Sequence, residues 1–176
     1  KNTATANFFS MNTYMTISAY GTEADVAVEA AKTRVYELEN LFSRTLDTSE
    51  VSLINQNAGI KPVAVSADTY KLISLALEAS RETEGAFDIT IAPVMDLWGF
   101  TTDDYYVPSS DERLAAAQLV DYQYVECNES SQTVFLTKEN MEIDLGGIAK
   151  GYASDEVQRV LSSYDVDAAM ISLGGN

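Results

Sequence analysis

The hydrophobic pattern of this 176-residue chain changes between strand-like and helix-like periods several times, in an irregular order. Residues 8–20 alternate with a period of two, which predicts one strand with Met11, Met15 and Ile17 on the same face. A helical stripe of apolar residues follows over 23–42. A doubly wound fold would alternate strands and helices more regularly, so the pattern predicts the α+β class.

Local signals place the remaining elements. Ser66 is a helix N-cap candidate, Gly85 stands where a helix would end, and Ser109 with Glu112 matches a capping box. No linker or change of composition divides the chain, so one domain, 1–176, is expected. The predicted helices are 67–83, 109–119 and 148–161, with a helical turn near 51–55; the predicted strands are 122–127, 133–136, 141–145 and 167–173; residues 86–100 are predicted to be extended before a turn.

Composition excludes several classes of function. Lys and Arg number 11 against 27 Asp and Glu, giving a net charge of −16, so binding to nucleic acid or anionic lipid is not expected. Cys127 is the single cysteine and there is no histidine, which excludes an internal disulfide, Ser-His and Cys-His nucleophiles and His-ligated metals. A metal would need oxygen ligands, which favours Mg²⁺ or Ca²⁺. No apolar run is long enough to span a membrane.

The segment Asp-Leu-Gly-Gly-Ile-Ala-Lys-Gly-Tyr-Ala at 144–153 carries the strongest chemical signal. It is predicted to run from a strand through a double-glycine turn into a helix, which leaves backbone N–H groups free to bind an anion. Lys150 can add a positive charge, and Asp144 can accept a hydrogen bond from a ligand or orient a metal. A plain helix start with a surface lysine would give the same local pattern, so both interpretations stay open.

Two further segments are ambiguous in the same way. Asp88 lies in an otherwise apolar run, and a buried carboxylate requires hydrogen bonds or a charged partner. It either caps backbone amides before Pro93 or contacts a ligand, and the two roles are compatible. Trp98 and Phe100 flank a glycine and could pack on a flat ring, although such residues are more often part of a core.

Taken in order, these segments resemble the ApbE family, the FAD:protein FMN transferases. The resemblance covers essentially the whole chain, and the block at 144–153 is its most specific part. The matching pieces are Met-Asn-Thr at 11–13, Leu-Phe-Ser-Arg at 41–44, Ser-Glu at 49–50 and Asn55, Glu-Gly-Ala-Phe-Asp at 84–88, Pro93, Leu-Trp-Gly-Phe at 97–100, the block at 144–153, and Leu-Gly-Gly-Asn at 173–176.

The resemblance implies a T-fold-like α+β architecture with a mixed or antiparallel sheet packed against helices, and it implies a flavin site. Met11 would line the flavin, and the backbone carbonyl of Gly147 would be a Mg²⁺ ligand. The implied contacts to FAD are Ala86, Phe87, Asp88, Asp144 and Lys150.

The implied reaction is a Mg²⁺-dependent transfer of FMN from FAD to a threonine of a target flavoprotein, with release of AMP. Metal ions and helix N-termini suit such a phosphoryl transfer, and it needs no histidine. Family members are usually lipoproteins of the bacterial envelope, so an extracytoplasmic location and a lipid anchor upstream of Lys1 are expected. The polar start of the chain is compatible with a removed signal peptide and equally with a cytosolic protein.

Three departures from the family pattern qualify the expectation. Asn12 replaces a usual glycine, and Thr45 stands where members often carry a flavin-contacting tyrosine. Members are also about twice as long, so the chain is expected to be an N-terminal fragment or cleavage product, with the catalytic residues and the other Mg²⁺ ligands in a half beyond Asn176. The alternatives to a transferase are an FAD pyrophosphatase and an inactive, truncated flavin-binding module.

Overall fold

The structure is a computed structural model and describes residues 1–175. It confirms the α+β class, with two antiparallel three-stranded sheets and helices. The chain forms two compact units. The first unit contains residues 1–41 and the chain from 148 onward, and the second unit contains residues 42–147. The expectation of one domain stays a prediction.

The first unit is built on a sheet with the strand order β1-β2-β6. Its strands are β1 (Asn2–Ser10), β2 (Thr13–Gly21) and β6 (Val166–Leu173), and its helical residues belong to α1 (Ala24–Phe42) and α6 (Gly146–Leu161). One face of each element is buried, for example Ile17 of β2, Val35 of α1 and Val157 of α6. This burial of apolar side chains is the main stabilisation of the unit.

The single strand expected over residues 8–20 is wrong, because the chain reverses at Met11 and Asn12. Both residues have a positive φ, 48° and 60° respectively, and Ser10 pairs with Thr13 across the turn. A two-residue turn of this hand matches the twist of a β-hairpin. Met11 therefore lies in the turn and not on the strand face that the alternation predicted.

The second unit contains a small sheet and four helices, of which α3 (Ala67–Glu82) is the longest. Its elements are α2 (Glu50–Gln56), β3 (Val63–Ala64), α3 (Ala67–Glu82), a 3₁₀ turn (Ile89–Ile91), α4 (Ala92–Leu97), α5 (Ser110–Ala117), a second 3₁₀ turn (Tyr122–Tyr124), β4 (Val125–Asn128) and β5 (Thr133–Leu136). The sheet order is β3-β5-β4, and β4 and β5 form the expected hairpin.

The helix-end signals are confirmed. The Ser66 side chain accepts a hydrogen bond from the Thr69 N–H, and Ser109 and Glu112 form the capping box. Gly85 has a φ of 83° and donates its N–H to the Ser80 carbonyl at 2.8 Å, as a helix-ending glycine does.

Two segments near the motifs differ from expectation. Residues 86–100 are mostly helical and not extended. Asp88 caps the first 3₁₀ turn, and Pro93 lies at the start of α4, where proline is tolerated. Residues 141–145 form no strand, although the Asp144 N–H bonds the Ile89 carbonyl at 2.8 Å. Gly146 and Gly147 are the first residues of α6 and not a separate turn.

Within residues 1–175, every helix is too short or too polar to cross a lipid bilayer.

Candidate functional site

The turn that carries Met11 is held by one glutamate of α1. The Glu39 carboxylate accepts the Met11 N–H at 2.7 Å through Oε1 and the Ser10 hydroxyl at 2.7 Å through Oε2. Ser10 is buried, and Met11 is half-buried. A charged acceptor strengthens both bonds, and they offset the cost of two non-glycine residues at positive φ. The Met11 side chain is therefore presented from a fixed turn.

Lys150 lies in the first unit beside the end of β6. A Cβ atom on Gly174, whose φ is 82°, would stand 3.4 Å from Lys150 Cδ and 2.9 Å from the Thr13 hydroxyl oxygen. Lys150 is half-buried. Within the described residues 1–175, no hydrogen bond or ion pair occupies its ammonium group. The first unit thus brings together the Met11–Thr13 end of the hairpin, Gly174 and a half-buried cation that is available to an anion.

Asp144 lies in the second unit at the start of α6. Its Oδ1 accepts the Gly146 N–H at 2.7 Å, and its Oδ2 accepts the Arg44 Nε–H at 2.8 Å. A carboxylate at this position satisfies one of the unpaired amides of the helix and is stabilised by the helix dipole. A Cβ on Gly146 would come within 2.8 Å of Asp144 Oδ1, so glycine is required for this geometry.

Arg44 is the centre of a cluster of three carboxylates. Its guanidinium binds both oxygens of Asp96, at 2.6 and 3.0 Å, and lies 3.5 Å from Glu142, in addition to its bond to Asp144. The Arg44 side chain is only 9% exposed. Burial has the largest single effect on the pKa of Asp96 and raises it, but the hydrogen bonds to Arg44 and Thr101 and the charge of Arg44 together outweigh burial, so the pKa is lowered. The pKa of Glu142 is raised, first by burial and then by the charge of Asp96.

The double glycine gives α6 a start without side chains. A Cβ on Gly147 would lie 3.2 Å from the Phe87 ring, which packs against the helix start within the second unit. Ala86 is exposed and Phe87 is half-buried. The structure therefore gathers Phe87, Asp144, Gly146 and Gly147 in one place. That this place belongs to a flavin site stays a prediction.

Asp88 performs the capping role. Its Oδ1 accepts the Thr90 N–H at 2.8 Å and the Thr90 hydroxyl at 2.6 Å, and its Oδ2 accepts the Tyr122 N–H at 2.9 Å. A carboxylate has about four acceptor sites, so these three bonds leave one for a ligand. The FAD contact implied for Asp88 stays a prediction.

A Mg²⁺ site is only partly provided for by the described residues. Within residues 1–175, no three Asp, Glu, Cys or His side chains are arranged to hold a metal. The carboxylates of Asp96, Glu142 and Asp144 converge on Arg44 instead. The Gly147 carbonyl has the right chemistry for Mg²⁺, but one oxygen is not a site. Further ligands would have to come from elsewhere. Asn176, which ends the Leu-Gly-Gly-Asn motif, lies outside the described residues.

Two residues of this region were not given a role by sequence reasoning. Arg44 belongs to a matching motif, but its partner Asp144 is 100 residues away. Glu39 looks like an ordinary polar residue of an amphipathic helix. In both cases the only available signal is a charged residue within or next to a motif.

Comparison with known proteins leads to the family that these motifs resemble. The model of the ApbE family matches residues 11–176. An FAD:protein FMN transferase of Klebsiella pneumoniae is 38% identical over 152 residues, which are 84% of this chain and 48% of that protein. An FAD:protein FMN transferase of Treponema pallidum is 31% identical over 88% of this chain and 44% of its own length.

Solved structures agree with this. The ApbE protein of Thermotoga maritima superimposes with a TM-score of 0.88 at 31% identity, covering 96% of this chain and 55% of that one. The H257G mutant of the flavin transferase ApbE from Vibrio cholerae gives a TM-score of 0.90 at 26% identity, with 99% and 61% covered. The chain spans about half the length of the curated relatives it matches.

Proposed function

The chain belongs to the ApbE family, and we propose from this premise that it is the flavin-binding part of an FAD:protein FMN transferase. The proposed reaction is a Mg²⁺-dependent transfer of FMN from FAD, through a phosphoester bond, to a threonine of a target flavoprotein. AMP is the leaving group. The relatives named FAD:protein FMN transferase support the class of reaction, and the metal, the acceptor and the leaving group are our proposal.

The observation that supports it most directly is the side-chain-free start of α6 beside Asp144 and Phe87. Gly147 presents its backbone N–H at a helix N-terminus, while the Gly146 N–H is bonded to Asp144. Neither glycine carries a Cβ atom, so a phosphate can approach the main chain there. Lys150, with no partner for its ammonium group within residues 1–175, would neutralise a diphosphate. We assign Met11 and Phe87 to the flavin, and Ala86, Asp88, Asp144 and Lys150 to other contacts with FAD.

In this proposal the residues of the chain bind and orient the dinucleotide. Helix-terminal amides are preorganised donors, and such donors stabilise charge that develops on phosphate oxygens. Mg²⁺, when bound, would supply a Lewis acid for those oxygens, with the Gly147 carbonyl as one ligand. Because the described residues give an incomplete ligand set, we assign no catalytic step to a residue of this chain.

The test uses the full-length gene product that contains this sequence. It is incubated with FAD, Mg²⁺ and a threonine-containing acceptor peptide, and mass spectrometry measures FMN on the peptide while chromatography measures AMP. Covalent FMN with an equal amount of AMP is the expected result. Free FMN and AMP without acceptor would identify a pyrophosphatase instead, and FAD binding that ignores Mg²⁺ without any product would identify a flavin-binding module.

We also propose an extracytoplasmic location in a bacterial envelope, with a lipid anchor upstream of Lys1, as the family resemblance implies. Fractionation of cells that express the full-length gene product tests this. Recovery in the cytosolic fraction with no lipid modification would contradict it.

A further inference from the structure

Arg44 is a buried cation whose role neither the motif nor the proposed reaction explains. It is 9% exposed, and it binds Asp144 through Nε while both terminal nitrogens bind Asp96. A guanidinium is planar and offers donors on fixed edges, so two carboxylates held in this way fix each other's orientation. Lysine could not bind both in the same geometry.

The Asp144 carboxylate is therefore held from two sides. Arg44 takes Oδ2 at 2.8 Å, and the Gly146 amide takes Oδ1 at 2.7 Å. Without Arg44 the carboxylate could rotate about its side-chain bonds and leave the Gly146 amide unbonded. The first turn of α6 would then lose the acceptor that caps it.

Charge leads to the same conclusion. Asp96, Glu142 and Asp144 surround the guanidinium, which is their one cationic partner within the described residues. If Arg44 is removed, the start of α6 faces a cluster of carboxylates with no compensating charge. An anionic diphosphate would be repelled there, and a neutral flavin ring would be affected much less.

We propose that Arg44 is a positioning residue for dinucleotide binding: its guanidinium fixes the Asp144 carboxylate against the Gly146 amide and offsets the negative charge beside the start of α6. This inference rests on the proposed function for its ligand. It goes beyond that function by giving a role to a residue that touches neither FAD nor metal in the proposal.

The experiment compares Arg44→Gln, Arg44→Lys, Asp144→Asn and the double variant Arg44→Gln/Asp144→Asn. Flavin fluorescence measures the affinity for FAD and for riboflavin, which has no phosphate. Partners that orient the ligands of a metal ion typically contribute 10–100-fold in affinity, and we expect an effect of similar size for a partner that orients Asp144. Arg44→Gln is thus expected to lower the affinity for FAD by about tenfold or more and the affinity for riboflavin by less than about twofold. Arg44→Lys restores the charge and should recover part of the lost FAD affinity.

The double variant distinguishes positioning from direct contact. If Arg44 acts through Asp144, the combined loss is smaller than the product of the two single losses, because contacting residues are not additive. Independent losses that multiply, or equal losses for FAD and riboflavin, would overturn the proposal. Arg34→Gln is the matched control, since Arg34 pairs with Glu156 at 2.8 Å inside the first unit. It should lower thermal stability and leave FAD affinity unchanged.

A measurement without ligand separates this inference from the proposed function. Hydrogen exchange at the Gly146 amide should be about tenfold faster in Arg44→Gln than in the wild type and unchanged in Arg34→Gln. Unchanged exchange in Arg44→Gln overturns the positioning role, whether or not FAD binds. A wild-type protein that binds no FAD overturns the proposed function, and the exchange result still decides whether Arg44 holds Asp144.

Discussion

Two glycines of α6 should respond to the same substitution with opposite signs. A Cβ atom on Gly146 would lie 2.8 Å from Asp144 Oδ1, closer than real Cβ contacts, whereas a Cβ on Gly151 meets no atom within 4 Å. Gly151 is also exposed. Gly146→Ala therefore forces the carboxylate to move, and Gly151→Ala adds a methyl group to open space.

The magnitudes follow from helix propensity and one hydrogen bond. Alanine in a helix interior is more favourable than glycine by about 0.5–1 kcal/mol, which Gly151→Ala should gain in full. At Gly146, near the end of the helix, the gain is smaller. The displaced Asp144 loses its bond to the Gly146 amide, and a hydrogen bond to a charged group contributes about 1.5–3 kcal/mol. Gly146→Ala is thus expected to destabilise the protein by about 1–2 kcal/mol.

Urea unfolding followed by circular dichroism measures both changes, and each variant is the other's control. A stabilised Gly151→Ala with a destabilised Gly146→Ala is the expected result. If Gly146→Ala were as stable as the wild type, the Asp144 cap would contribute nothing and the reasoning about this helix start would be refuted. A destabilised Gly151→Ala would show that its surroundings are not open.

Three further substitutions test other parts of the region. Lys150→Ala should lower the affinity for FAD on the order of tenfold and the affinity for riboflavin only a little, because the lysine is proposed to bind phosphate. Equal losses of affinity for the two ligands in a fluorescence titration would contradict this role. The pKa of Glu142 is raised in the folded protein, so near this pKa the folded protein binds more protons at Glu142 than the unfolded chain does. Stability therefore falls as the pH rises from the unfolded pKa of this carboxyl through its folded pKa. Glu142→Gln should therefore raise the urea midpoint at about pH 7 and have little effect at about pH 3, and a lower midpoint at pH 7 would show that the bond to Arg44 dominates. Asn12, with a φ of 60°, should tolerate glycine but lose about 1–2 kcal/mol with valine, and equal thermal melting of the two variants would refute the assigned turn.

The parts of the fold that sequence predicted well are those set by neighbouring residues. Ser66, Ser109 with Glu112, and Gly85 act within three to five positions of themselves, and each has the expected cap geometry. A cap needs one side chain and one nearby amide, so its signal is complete in the local sequence. The same holds for the hairpin of β4 and β5, whose strands flank a short polar connection.

The wrong predictions have a common cause, which is that the same local pattern is compatible with two different structures. The buried positions are even-numbered before the turn at Met11 and Asn12 and odd-numbered after it, because a two-residue turn pairs even-numbered with odd-numbered residues. The apolar alternation over residues 8–20 hides this shift of one position. No glycine marks the reversal. In residues 86–100, apolar residues without a clear period predict an extended segment, whereas Asp88 and Pro93 act as start signals for a 3₁₀ turn and a short helix.

The site itself was half predictable, for a reason that Asp88 and Asp144 make plain. For Asp88 the sequence left open a structural cap and a ligand contact, and for Asp144 it indicated a contact to a ligand or a metal. In the structure both aspartates are caps, and each keeps unused acceptor capacity. A capping carboxylate is already immobilised, so binding a ligand costs it little further side-chain entropy. The two interpretations that the sequence left open are thus compatible, and what the sequence could not supply was the distant partner, Arg44, that fixes Asp144 in place.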